Sequence, residues 1–247
     1  MLVYWNIVQF NFQRFLVYPL EIGAAFLRRA IDITFLVLFW NVVSQSSGGS
    51  ISAVPLVAYF LIATSVDVFT QSARLTFAKY INYAVKNGTI SNYFIRPLPE
   101  IPHLYASFLG SEGLSFCIAF VTLVVGIILA HVSSILTFLA FIGFLFVAII
   151  LSFAINLLVG LLSFYTPEAT GLRFTVGHVI RVFSGLIIPL SFFPDTLKAI
   201  FLFTPFPSMV FGPTSVLAGQ SSSFETWMSF VVAIIWIIIL LPLSLWL

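Results

Sequence analysis

Residues 135–164 form one apolar run that contains no Asp, Glu, Lys or Arg. A helix needs roughly 20 apolar residues to cross about 30 Å of hydrocarbon, whereas a barrel strand needs only about 10, alternating apolar with polar. The run does not alternate. Backbone N–H and C=O groups in lipid must be satisfied internally, so such a segment folds as a helix among other helices. Composition agrees: charged residues make up 7% of the 247 residues and hydrophobic residues 61%, where a soluble domain carries about 25% charge. Eighteen charges cannot coat a water-soluble globule of this size. A soluble enzyme, a nucleic-acid binder and a disordered tail are excluded. Cys117, the one cysteine, excludes an intramolecular disulfide framework and any cysteine-rich metal site.

The expected fold class is an all-α integral membrane protein forming a single transmembrane domain over 1–247. Six spans are read at 22–43, 54–73, 104–130, 135–164, 172–191 and 225–247. Residues 1–21 precede them, a charged connection occupies 74–103, and a proline-interrupted connection occupies 192–223. Arg14, Arg74, Lys79, Lys86, Arg96 and Arg173 fall on one side, Lys198 on the other, and Arg28, Arg29 and Arg181 within spans. Six against one places both termini in the cytoplasm. No secretory signal is expected, because Asn6, Gln9, Asn11 and Gln13 interrupt the first twenty residues. In that segment Trp5, Val8, Phe12 and Phe15 recur at helical spacing. They fit a helix lying flat at the membrane interface, or else a simple extension of the first span.

Within 74–103, a first helix should stop at Gly88, and Thr89 is placed to cap a second, short one. Ile90 and Phe94 share a face at i,i+4, and Pro97, Pro99 and Pro102 end it. This is either a handle for a soluble partner or a loop that merely connects two spans. Residues 88–98, Gly-Thr-Ile-Ser-Asn-Tyr-Phe-Ile-Arg-Pro-Leu, resemble the G-x-[IL]-x-x-[YF]-[IL]-[IL]-R-P-L signature of ABC-2 type permeases, the membrane subunits of ATP-binding-cassette exporters, in the multidrug- or viologen-exporter-like branch. Residues 163–172 resemble that branch's F-[WY]-T-x-E-x-x-G-L stretch, and residues 185–195 its G-x-[IL]-[IL]-P-[IL]-x-x-[FL]-P stretch. The resemblance covers most of the chain in matching order.

The resemblance implies a dimer of permeases, like or unlike, bound to two ATPase subunits. It implies that Gly88, Thr89, Ile90, Ser91, Tyr93, Phe94, Arg96, Pro97 and Leu98 form the ATPase-coupling element. Residues 1–21 become the interfacial connecting helix. Residues 192–223 become a re-entrant hairpin on the extracytoplasmic side, with Pro189, Phe192, Phe193 and Pro194 as gate candidates. The cargo is expected to be apolar or amphipathic, and the site a bacterial or archaeal cytoplasmic membrane.

The chain has no G-x-x-x-x-G-K-[ST] phosphate loop, and its three histidines lie far apart without an H-E-x-x-H pair. No cofactor and no metal are therefore expected in this chain; ATP and Mg belong to the partner ATPase. Charges inside spans are costly, about 2.5–3.5 kcal/mol at a helix centre, and mark mechanism or pairing. Arg28 and Arg29 can neutralise Asp32 locally. Asp67, Asn156, Glu168 and Arg181 are candidates for the pathway or for inter-helix pairing, with Arg181 expected to meet Asp67 or Glu168. Small residues at 107, 111, 115 and 119, and at 148, 152, 156 and 160, form two stripes suited to close helix packing. A gradient-driven transporter or channel, reliant on Asp67, and a non-transporting membrane scaffold are the competing readings.

Overall fold

The computed structural model describes residues 2–46, 53–166, 169–219 and 222–246, and within these the regular elements are all helical. The helices run α1 Leu2–Leu16, α2 Pro19–Ser46, α3 Ala53–Thr70, α4 Thr76–Lys86 and α5 Ser91–Phe94. They continue with α6 Glu100–Ser111, α7 Gly113–Leu129, α8 Ile135–Leu161 and α9 Ala169–Phe183. The last four are α10 Asp195–Leu202, α11 Pro205–Met209, α12 Phe211–Ala218 and α13 Ser223–Trp246. Part of the expected connection at 44–53, and Leu247, lie outside the described residues.

Buried α3 is the centre of the bundle: 13 of its 18 residues are buried. It packs along α7, and Gly126 makes the approach possible, because a Cβ there would stand 2.8 Å from Ile62 Cγ1. Small residues replace the hydrophobic effect as the means of helix association in lipid. The same device seats α8 on α4, where Gly160 faces Ile81 and Ala78, and α12 on α8, where Gly212 faces the Phe144 ring. The stripe of Ala148, Ser152, Asn156 and Gly160 is buried along its length. Arg29 ties α2 into this core by donating to Thr64 Oγ1 and Thr122 Oγ1, each at 3.0 Å.

Among the described residues, three helices are long and apolar enough to cross a membrane: Ala53–Thr70, Ile135–Phe164 and Phe224–Trp246. A fourth crossing exists if α6 and α7 count as one span, and they meet at 61°. The expected span at 104–130 is therefore broken at Glu112. The expected stripe of Ser107, Ser111, Ser115 and Ala119 straddles that bend. The span expected at 172–191 is broken too, since α9 stops at Phe183. Gly185 turns there at φ +81°, its carbonyl accepts from the buried Tyr59 hydroxyl at 2.9 Å, and Phe211 N–H returns to the Ser184 carbonyl at 3.0 Å. α2 has the length for a crossing but carries Glu21, Arg28, Arg29 and Asp32.

α1 is a separate helix, not an extension of α2. Tyr18 precedes Pro19 and is pushed out of the helical region, which breaks the chain. The face of α1 carrying Val8, Asn11 and Phe12 seats on Gly110 and Gly113, at the α6–α7 bend. Leu2, Val3, Trp5 and Phe10 are exposed, and Val3 and Phe10 border a cavity shared with Tyr80, Tyr93 and His103. Trp5 shares the face of Val8 and Phe12 by helical spacing but lies a turn nearer the N-terminus and stays exposed.

Candidate functional site

The connection from α3 to α4 is an elbow in which two non-glycine residues, Gln71 (φ +57°) and Leu75 (φ +46°), take left-handed backbone conformations. Such conformations persist only where surrounding contacts impose them. Asp67 supplies the contacts. Its Oδ1 accepts from Ser72 Oγ at 2.9 Å and from Ala73 N–H at 2.8 Å, and its Oδ2 lies 3.4 Å from Arg74 Nε. Asn156 locks the same elbow to α8: its Nδ2 donates to the Gln71 carbonyl at 3.1 Å and to the Ser152 carbonyl at 2.9 Å, and its Oδ1 accepts from Ala78 N–H at 3.2 Å. α9 closes the elbow from the other side, with a Cβ at Gly177 only 2.7 Å from the Ala73 carbonyl. Two of the four pathway or pairing candidates therefore converge on one turn, where both serve as clasps.

The other two do not join them. Arg181 lines a cleft beside the elbow, and its expected partner Asp67 is taken by Arg74. Glu168 lies outside the described residues. Arg29 directs its Nη2 at threonines rather than at Asp32, which lines the same narrow crevice as Arg28 and Arg29.

α4 carries the elbow to the expected coupling element. It ends as Gly88 turns at φ +69°. Thr89 caps this end, not the start of the next helix: its hydroxyl donates to the Ala84 carbonyl at 3.3 Å, which Ile90 N–H also reaches at 3.0 Å. No side-chain cap opens α5, and the Ser91 hydroxyl turns back to the Gly88 carbonyl at 2.8 Å. With Gly88 at C′ and α5 only one turn long, Thr89 completes the preceding helix instead.

α5 sits on a small second core of Phe77, Ile81, Leu104, Phe108 and Leu157, against which Ile90 and Tyr93 pack. Tyr93 shares a hydrogen bond with Tyr80 at 3.0 Å, and its ring lies 4.7 Å from that of buried His103. Burial and the bond to Tyr93 push the Tyr80 hydroxyl above the ordinary tyrosine range, so it stays protonated. The exposed ridge is Phe94 (57%) and Ile95 (79%), followed by exposed Arg96 and Pro97, with Leu98 half-buried. The expected pair of Ile90 and Phe94 is thus split between core and surface. Ile95, Tyr80 and His103 escaped the sequence reading. The sequence did contain Ile95 between Phe94 and Arg96, but an i,i+4 rule applied to a single helical turn passes over it.

The gate candidates lie across the bundle. Pro189 is buried, while Phe192, 6.1 Å from the Trp40 ring, and Pro194 are exposed and Phe193 packs 5.3 Å from Phe201. The following short helices turn inward, with Met209, Val210 and Phe211 almost fully buried. Ser208 Oγ donates to the Ser229 carbonyl at 2.8 Å, fixing α11 to α13. Lys198 pairs with Glu225, joining α10 to the start of α13.

No curated protein and no solved structure matches the chain. A family model described as "ABC-2 family transporter protein" matches residues 26–247. That span takes in the central bundle, the elbow, the ridge on α5 and the buried α11 and α12. The chain therefore belongs to the ABC-2 transporter family, as a membrane permease.

Proposed function

We propose that this permease forms the pathway of an ATP-driven exporter, working as a dimer with a second permease and with separate ATP-binding-cassette subunits that supply ATP and Mg chemistry. The Phe94–Ile95–Arg96–Pro97 ridge inserts into the ATPase subunit. Motion of that subunit passes through Tyr93 to α6 and through α4 to the elbow, and so reaches α3, α8 and α9 together. Six segments, including charged α2, bent α6–α7 and short α9, make the crossings. α10–α12 re-enter from the outer side, with Pro189, Phe192, Phe193 and Pro194 at the gate. Both termini face the cytoplasm of a bacterial or archaeal cell.

One observation carries the reading: an exposed apolar ridge is mounted on a buried aromatic base that is continuous with the elbow. Exposed apolar side chains beside a basic residue suit a protein partner, and a rigid mount suits force transmission. The placement of Asp67 in a clasp supports this reading over an ion-driven carrier, which would want an available acid near the midplane. The test is Phe94→Asp/Ile95→Asp, chosen because Ile90 belongs to the core and its loss would disturb folding. Purified in mild detergent, the wild-type permease should bring down a stoichiometric ATPase, and the double variant should not. A double variant that retains the ATPase, or transport that persists without it, refutes the proposal.

A further inference from the structure

Beside the elbow lies a cleft of about 870 Å³ between α2, the α3–α4 turn, the α6–α7 bend and α9. Five basic side chains line it, Arg28, Arg74, Lys79, Arg173 and Arg181, against two acids, Glu21 and Glu112. Five positive less two negative charges leave +3 on the lining, or +2 once Arg74 is counted with Asp67, as much as the whole chain carries. The acids do not cancel this surplus. Among the described residues, Arg74 is the only one of the five cations committed to an acid at close range, Asp67 at 3.4 Å.

The helices are cut to keep the cleft open. On α9, Arg173, Gly177 and Arg181 recur at four-residue spacing, one face of a helix. Gly177 at the middle lets the Ala73 carbonyl close the floor. On α2, Ala24 and Ala25 leave space below Arg28. Arg173 is drawn aside, with its guanidinium 4.4 Å from the Phe174 ring centre and Nη1 3.4 Å from the Arg74 carbonyl. Concentrated guanidinium groups recognise oxyanions in a bidentate manner. They stand where exposed apolar helix faces begin: Phe26, Leu27 and Ile31 on α2, and Val179 and Val182 on α9.

We infer that this cleft is a binding site for the oxyanion headgroup of an amphipath whose tail lies along the apolar faces of α2 and α9. The inference rests on the transport reading above and names the substrate's chemistry: a phosphate-like head on an apolar tail. A phospholipid and a free amphiphilic phosphate share that chemistry.

The test uses the permease alone in nanodiscs of neutral lipid, so that ATPase binding plays no part. Dodecyl phosphate is the probe, with inorganic phosphate and dodecyl maltoside as head-only and tail-only controls. Dodecyl phosphate should bind at least tenfold more tightly than either control, and more weakly as salt rises. Arg28→Gln and Arg181→Gln should each weaken it about tenfold, the size of one lost charge-assisted hydrogen bond. Both variants should still bring down the ATPase, which separates failure here from failure of the coupling proposal. Lys198→Gln, at the far end, should bind like wild type. Native mass spectrometry of protein taken from cell membranes distinguishes the sources: retained phospholipid, lost in Arg28→Gln/Arg181→Gln, identifies a lipid headgroup, and its absence identifies a free amphiphile. Equal binding of dodecyl maltoside, or unchanged dodecyl phosphate binding in both Arg variants, overturns the inference. So does loss of the permease dimer with probe binding intact, which would assign the cations to a second copy's acids.

Discussion

If Asp67 is a clasp, its removal should cost stability in a graded way that geometry dictates. Asp67→Asn keeps the shape and one acceptor oxygen, so Ser72 and Ala73 can still donate, but to a neutral group. Hydrogen bonds to charged groups contribute about 1.5–3 kcal/mol and neutral ones about 0.5–1.5. Two such bonds, at 2.9 and 2.8 Å, therefore lose about 2 kcal/mol together. The Arg74 contact adds little, because that side chain is 39% exposed and exposed pairs contribute about 0.2–1 kcal/mol. Asp67→Ala goes further and leaves the Ala73 N–H buried without a partner, for a total of about 3–5 kcal/mol. Arg74→Ala should cost under about 1 kcal/mol. The assay is reversible unfolding in mixed micelles followed by far-UV circular dichroism, with limited proteolysis to report opening of the elbow near residues 71–75. Asp67→Ala should be the least stable, Asp67→Asn intermediate and Arg74→Ala close to wild type. A folded, fully stable Asp67→Asn permease that has lost transport would refute the reasoning and return Asp67 to the pathway.

Two further outcomes follow from neighbouring contacts. Gly177→Ala should destabilise by about 1–3 kcal/mol, since its methyl would stand 2.7 Å from a backbone carbonyl that cannot yield without moving the elbow; thermal unfolding against Gly171→Ala, where nothing stands within 4 Å, checks this. Tyr59→Phe removes the hydroxyl that reaches the Gly185 carbonyl at 2.9 Å inside the bundle. It should cost about 1–3 kcal/mol in the same unfolding assay, because the carbonyl is left without that donor, and a variant as stable as wild type would show that the α9 break holds without it.

The class of protein was legible because apolar run length is a direct consequence of bilayer thickness, and residues 135–164 advertise it without any tertiary information. The short helix at 91–94 was legible through the glycine and prolines around it, which punctuate a chain locally. Its inner geometry was not. Thr89 could cap either neighbour, and only the turn at Gly88 decides which. Ile90 and Ile95 are equally apolar, and only the position of the Phe77 cluster buries one and exposes the other. Asp67 and Asn156, 89 residues apart in the sequence, meet because the α3–α4 elbow folds onto α8, a long-range fact with no local signature. The breaks at Glu112 and Phe183 were hidden by hydropathy. An apolar bent helix and an apolar straight one have the same composition.

The seat of α1 on the α6–α7 bend has a mechanical consequence. Val8 and Phe12 rest against Gly110 and Gly113, on either side of the 61° angle, while Trp5 and Phe10 stay exposed. If α1 lies in the lipid headgroup layer, as its amphipathic spacing suggests, opening or closing that angle would carry this fifteen-residue helix through that layer. Part of the work of each cycle would then be done against lateral pressure in one leaflet. Turnover would respond to acyl-chain saturation and headgroup packing, even for a cargo that never touches α1.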